Sequence, residues 1–159
     1  MGRDYPAHPL VGVGAIILDA NRVVLVRRGR PPALGHWSLP GGIVELGETM
    51  EEAIVREVEE EVGLKVEVSQ IVSVLDWILV DAAGAVEFHY VLMDFLCRPA
   101  GGALRAGSDV LSAWLVPLEA IAQYHLKRET MEVIDHASRC RAGRTACLYL
   151  RRRAATTEP

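Results

Sequence analysis

The stretch from Thr49 to Val62 most constrains what this chain can fold into. Ile54, Val55, Val58 and Val62 recur at helical spacing, and Gly63 stands where a helix C-terminus commonly turns left-handed. At about 100° per residue, Glu57, Glu60 and Glu61 fall within one arc of about 100°, beside the arc of the apolar residues. Such a helix must bury one edge in a core while three carboxylates in i, i+3, i+4 relation stand next to it. Each like-charged pair costs about 0.2–0.5 kcal/mol in an exposed helix, and more at the border of a buried face. No other evident charge compensates the stripe. A cation would, and hard divalent ions favour clustered carboxylate oxygens, so the pattern predicts a magnesium or manganese site. The three acids alone leave open a surface helix merely rich in glutamate.

The rest of the chain supplies a mixed set of elements. Val11 to Leu18 and Val23 to Val26 are β-branched runs separated by Asp19-Ala-Asn-Arg22, which predicts an antiparallel strand pair. Val66 to Val80 and Val86 to Leu96, joined by Asp81-Ala-Ala-Gly84, predict a long hairpin. Trp114 to Val116 reads as a short strand, Pro117 as a helix opener and Glu129 to Cys140 as a second helix. Without strand–helix–strand alternation, the order argues against a Rossmann arrangement. Val11-Gly-Val-Gly14 lacks the third glycine and the helix start of a dinucleotide fingerprint. No phosphate loop of the G-x-x-x-x-G-K-[ST] type and no G-x-S-x-G elbow occurs.

Length and charge narrow the class. At 159 residues the chain has the size of one domain, and a composition 50% hydrophobic and 24% charged argues against disorder. Seventeen Lys and Arg against 21 Asp and Glu leave a net charge of −4, which excludes a generally basic binder of nucleic-acid polymers. No apolar run approaches the roughly 20 residues of a membrane span, and the N-terminal residues show no signal-like core. The expectation is a single domain over residues 1–159, with its core over about 10–140 and a loose tail over 151–159, cytoplasmic and off the membrane. Cys97, Cys140 and Cys147 form no CxxC pair and are expected as reduced thiols packed like small hydrophobes. The five histidines have no zinc spacing.

The surroundings of the helix decide between the two readings of its acids. Gly41-Gly42 puts unhindered backbone just ahead of it, Glu48 precedes it, and Arg56 can fork onto a carboxylate. In order, the segment is Gly42, five residues, Glu48, seven residues, then Arg56-Glu57-Val58-Glu59-Glu60-Glu61-Val62-Gly63-Leu64. It resembles the Nudix box, G-x5-E-x7-R-E-U-x-E-E-x-G-U with U aliphatic, at every defined position. At typical residue usage this match arises by chance in on the order of one chain in a million or fewer. The resemblance extends over roughly residues 10 to 140 and is to MutT-type and ADP-ribose pyrophosphatase-like Nudix hydrolases.

That resemblance implies a Nudix fold of the α/β class, a mixed β-sheet in an α/β/α sandwich. It also implies hydrolysis of the pyrophosphate bond in nucleoside diphosphates linked to a group X, giving a nucleoside monophosphate and phospho-X. ADP-ribose or another nucleotide sugar is favoured, with a (d)NTP next. By resemblance, Glu57, Glu60 and Glu61 ligate Mg²⁺ or Mn²⁺, with the Gly41 or Gly42 carbonyl completing the shell and Glu48 as a further metal-side or helix-anchoring carboxylate. Arg56 orients Glu57, which is also one candidate for general base. Where relatives often carry an acid shortly before the Val116-Pro-Leu segment this chain departs with Ser112, and Asp109, the nearest acid in that loop, is a candidate for a fourth ligand, a base or a substrate contact. Arg27 and Arg28 end a strand and alternate, so one is expected to face the site and hold a phosphate while the other is solvated. Trp37 and Tyr90, with Trp77 and Phe88, are candidates to stack a base, although aromatics in strands are more often core. The implied partner is a small-molecule nucleotide, with a homodimer left open. The alternative is a non-catalytic Nudix-fold module that senses or binds such ligands.

Overall fold

Thr49 starts the helix that the acidic segment predicts. Its hydroxyl accepts from the Glu52 N–H at 3.2 Å while the Glu52 carboxylate accepts from the Thr49 N–H at 2.7 Å. This reciprocal cap satisfies two donors that a helix start otherwise leaves orphaned. Helix α1 runs Met50–Val62 and ends on Gly63, whose φ of 69° is a left-handed turn that glycine adopts without steric cost. Ala53, Ile54, Val58 and Val62 are fully buried, whereas Val55, expected with them, is exposed. Truncating a side chain placed like Ile54 to Ala costs about 2–5 kcal/mol.

The computed structural model describes residues 3–31, 33–107, 109–143 and the backbone of 153–156. Its strands are β1 (Leu10–Asp19), β2 (Arg22–Arg28), β3 (Trp37–Ser38), β4 (Gly41–Ile43), β5 (Leu64–Val80), β6 (Val86–Gly102), β7 (Val110–Pro117) and β8 (Arg153–Thr156). The β1–β2 hairpin and the long β5–β6 hairpin both form as expected. Asp81 shapes the turn of the second by accepting from the Ala83 and Ala85 N–H groups at 2.9 Å each. What makes the sheet mixed is β6 lying parallel to β1, from Leu10↔Tyr90 to Ile17↔Cys97. The described strands order as β3-β2-β1-β6-β5-β8, with β4 also on β1 and β7 also on β2.

Alternation along these strands feeds two cores. Val13, Ala15, Ile17, Val24, Val26, Phe95 and Cys97 face α1. Ile16, Leu18, Val23, Leu25, Val72 and Leu96 face α2 (Arg128–Arg141) through its Val133, Ile134 and Ala137. The result is the α/β/α sandwich. Pro117 opens a 3-10 segment, Leu118–Tyr124, rather than an α-helix. Cys97 is a buried free thiol that burial pushes up to about 12. Cys140 is buried with Sγ 3.3 Å from His136 Nε2, and Cys147 lies outside the described residues. The tail expected to be loose is in part a strand, since β8 pairs in parallel with Asp76–Leu79 of β5. A sheet edge offers unpaired donors and acceptors to any nearby extended segment, which the tail's composition does not advertise. Residues 151, 152 and 157–159 lie outside the described residues. No described helix is long and apolar enough to cross a membrane.

Candidate active site

The site forms where β4 meets α1, and two glycines make that meeting possible. A Cβ on Gly41 would lie 2.1 Å from the Val13 carbonyl of β1. One on Gly42 would lie 2.1 Å from Glu57 Oε1. The bare β4 backbone therefore reaches the helix carboxylates, and the Gly41 N–H donates to Glu61 Oε2 at 2.9 Å.

Arg56 gathers the acids. It forks onto Glu48, with Nη2 2.6 Å from Oε1 and Nε 3.1 Å from Oε2. Nη1 donates to Glu57 Oε1 at 2.9 Å and reaches Glu60 Oε2 at 3.5 Å, while Nη2 also donates to the Ile43 carbonyl at 3.1 Å. These bonds hold Arg56 firmly in its charged form and lower the Glu48 carboxyl below its usual range. Glu48 further accepts from the Glu45 N–H at 2.6 Å, so it anchors the loop before α1 as well.

The three helix carboxylates differ in exposure. The Glu60 side chain is 62% exposed and that of Glu57 15%. Glu61 is buried, and burial pushes it up to about 7, against the opposing pull of Arg28 and the Gly41 N–H. Arg28 Nη1 lies 3.4 Å from Glu61 Oε1 and 3.3 Å from the Gly41 carbonyl. The expectation that nothing compensates the acidic stripe is therefore corrected, because Arg56 and Arg28 both do.

Glu48, Glu57, Glu60, Glu61 and the Gly41 carbonyl form an all-oxygen donor set, the chemistry that Mg²⁺ and Mn²⁺ favour. Their chemistry fits such an ion. Among the described residues no three acidic, histidine or cysteine side chains converge to metal-binding distance.

The remaining candidates separate. Arg28 is the arginine that faces the acids, and Arg27 turns to the other face with Nε on the Gly35 carbonyl at 3.0 Å. Trp37 packs edge-to-face on Tyr124 with centroids 4.9 Å apart, against the core beneath α2. Tyr90 is buried and stacks on Trp77 at 5.4 Å, with Lys127 from the start of α2 over the Trp77 ring. Neither aromatic joins the acid cluster. Asp109 pairs with Arg30 at 2.6 Å, and its charge is close enough to raise Glu61. It follows a loop that closes on the end of α1, where the Ala103, Arg105 and Gly107 N–H groups donate to the Gly63, Val62 and Glu61 carbonyls. Sequence reasoning missed the Arg28–Glu61 pairing, for which 33 residues of separation leave no local signal. It also passed over the Thr49-x-x-Glu52 cap, which did have one.

A family model described as the NUDIX domain matches residues 8–136. The chain belongs to the Nudix family. This Nudix chain is 41% identical to an ADP-ribose pyrophosphatase of Methanocaldococcus jannaschii over 106 residues, which is 67% of this chain and 60% of that protein. It is 34% identical to a MutT-like protein of Streptomyces ambofaciens over 115 residues, 72% of this chain and 68% of that one. The chain thus spans three-fifths to two-thirds of the length of these relatives. A crystal structure of a MutT Nudix hydrolase from Burkholderia pseudomallei superposes with a TM-score of 0.69 at 32% identity, covering 81% of this chain and 98% of that one.

Proposed function

We propose that this Nudix chain is a metal-dependent hydrolase of the pyrophosphate bond in nucleoside diphosphates linked to a group X, releasing a nucleoside monophosphate and phospho-X. The observation that carries the reading is the oxygen-rich set of Gly41, Glu48, Glu57, Glu60 and Glu61, in which Arg56 holds Glu48, Glu57 and Glu60 while Arg28 lies on Gly41 and Glu61. Those five residues would hold Mg²⁺ or Mn²⁺, which when bound neutralises the phosphates and makes a water acidic enough to attack. Arg56 fixes the orientation of Glu48 and Glu57 through contacts to both. Glu57, kept 15% exposed beside the Gly42 backbone, is the candidate to accept the proton of the attacking water. Arg28 presents cationic donors toward the same place for a phosphate oxygen. The likeness to the Methanocaldococcus ADP-ribose pyrophosphatase favours ADP-ribose or a related nucleotide sugar, and the MutT-like relatives keep a (d)NTP next. A buried free thiol at Cys97 suits a reducing, cytoplasmic setting.

The test is turnover of ADP-ribose, nucleotide sugars, (d)NTPs and oxidised nucleotides with Mg²⁺ and Mn²⁺ in ¹⁸O-labelled water. The expected result is metal-dependent cleavage with label in a phosphate product. Full activity in excess chelator would refute the metal assignment, and label in the sugar would refute attack at phosphorus. Tight ADP-ribose binding with no turnover of any substrate would instead establish a ligand-sensing module.

A further inference from the structure

We propose that Arg28 is a seat-holder: its guanidinium lies on the Gly41 carbonyl and the Glu61 carboxylate, would compete with a divalent ion for those two oxygens, and would turn to the diphosphate of the substrate when the ion is bound. The inference rests on the proposed function, since it takes the metal site and an anionic substrate as given.

Three observations carry it. The first is position. A single nitrogen, Nη1, bridges two of the oxygens assigned to the metal, the Gly41 carbonyl at 3.3 Å and Glu61 Oε1 at 3.4 Å. The second is looseness. A guanidinium–carboxylate bond normally runs about 2.7–2.9 Å and is often forked. Arg56 in the same cluster meets that standard with contacts of 2.6 and 2.9 Å and a two-point hold on Glu48. Arg28 does not. The third is spare capacity. Among the described residues the other guanidinium nitrogens of Arg28 make no hydrogen bond, and the side chain is 26% exposed.

Two cations on the same pair of oxygens repel each other at short range, so one of them must move. Arg28 sits at the end of β2, where the pairing with β7 slips between Arg27 and Arg28. Its long side chain can swing without disturbing the sheet, whereas Glu61 is buried and Gly41 is backbone. Once released, its planar pair of nitrogens suits two oxygens of a diphosphate. The exchange couples the two bound species: Arg28 opposes metal entry and then favours substrate only after the metal is in place.

The test is Mn²⁺ binding to the full chain without nucleotide, read by the electron paramagnetic resonance of free Mn²⁺ at pH 8.5, for the wild type, Arg28→Gln and Arg28→Met. Arg27→Gln removes the same charge one residue away on the opposite face. Both Arg28 variants are expected to bind Mn²⁺ about fivefold or more tightly than the wild type, with Arg27→Gln within about twofold of it. Substrate KM in the Arg28 variants should rise about tenfold or more. Circular dichroism establishes which variants are folded, and either Arg28 variant suffices. Unchanged or weaker Mn²⁺ binding in a folded Arg28 variant would overturn the seat exchange, as would equal tightening in Arg27→Gln. A wild type that binds no Mn²⁺ would overturn the metal site itself, and with it the proposed function.

Discussion

Glu61→Gln is expected to make the metal-free protein more stable at pH 8 while removing most of its activity. The Glu61 side chain is 5% exposed, and burial lifts it from an ordinary 4.5 to about 7. At about 1.4 kcal/mol per pH unit, holding that carboxylate ionised in the native state at pH 8 costs about 3 kcal/mol relative to the unfolded chain. The sign follows from the direction of the displacement. A folded value above the unfolded one means the native state holds the proton more tightly, so this contribution is complete below pH 4.5 and lost as pH rises through about 7. That figure is already net of the pull of Arg28 and the Gly41 N–H; a glutamine keeps an oxygen for the Gly41 N–H but buries an amide NH2 that needs its own partner, which reduces the net gain to about 1–2 kcal/mol. For a domain of this size that is about 3–6 °C in Tm. Thermal melts in chelator at pH 8 and pH 4.5 measure it: the gap should be open at the first and nearly closed at the second. A variant less stable than wild type at pH 8, or a gap independent of pH, would refute the reasoning. With Mg²⁺ and substrate present, turnover should fall by about a hundredfold or more, because a metal-side oxygen anion is gone.

Arg56→Lys should keep the fold and much of the metal affinity yet lose most of the turnover, because an ammonium cannot reproduce contacts to Glu48, Glu57 and the Ile43 carbonyl from one planar group. Steady-state kinetics beside a melt decide it, and near-normal kcat would reduce Arg56 to simple charge compensation. Gly42→Ala puts a methyl 2.1 Å from Glu57 Oε1, so Glu57 must shift by about 1 Å and turnover should drop on the order of a hundredfold. The same variant with unchanged kcat would mean that the position of Glu57 is immaterial to the chemistry.

Local interactions were legible in the chain. The i, i+3, i+4 relation of Glu57, Glu60 and Glu61, the Gly63 stop and the Asp81 turn depend on neighbours a few residues away, and each is where the pattern puts it. The alternation at Arg27 and Arg28 was also readable, to the extent that one must face the helix. Which one does so depends on the side of β2 that α1 covers. The 3-10 form of Leu118–Tyr124 and the outward turn of Val55 show where local propensity yields to the space a neighbouring layer leaves.

The sequence by itself determined the helix, its caps, the acid set and the family resemblance, because periodicity and spacing encode contacts within a few residues. Only the tertiary structure decided that β6 runs parallel beside β1, that Trp37 and Tyr90 belong to packed aromatic contacts on the α2 side, and that Arg28 lies between Gly41 and Glu61. Those contacts join residues 13, 33 or about 80 positions apart. Their energy comes from burial and charge pairing across layers, which exists only once the sheet has closed between its two helices.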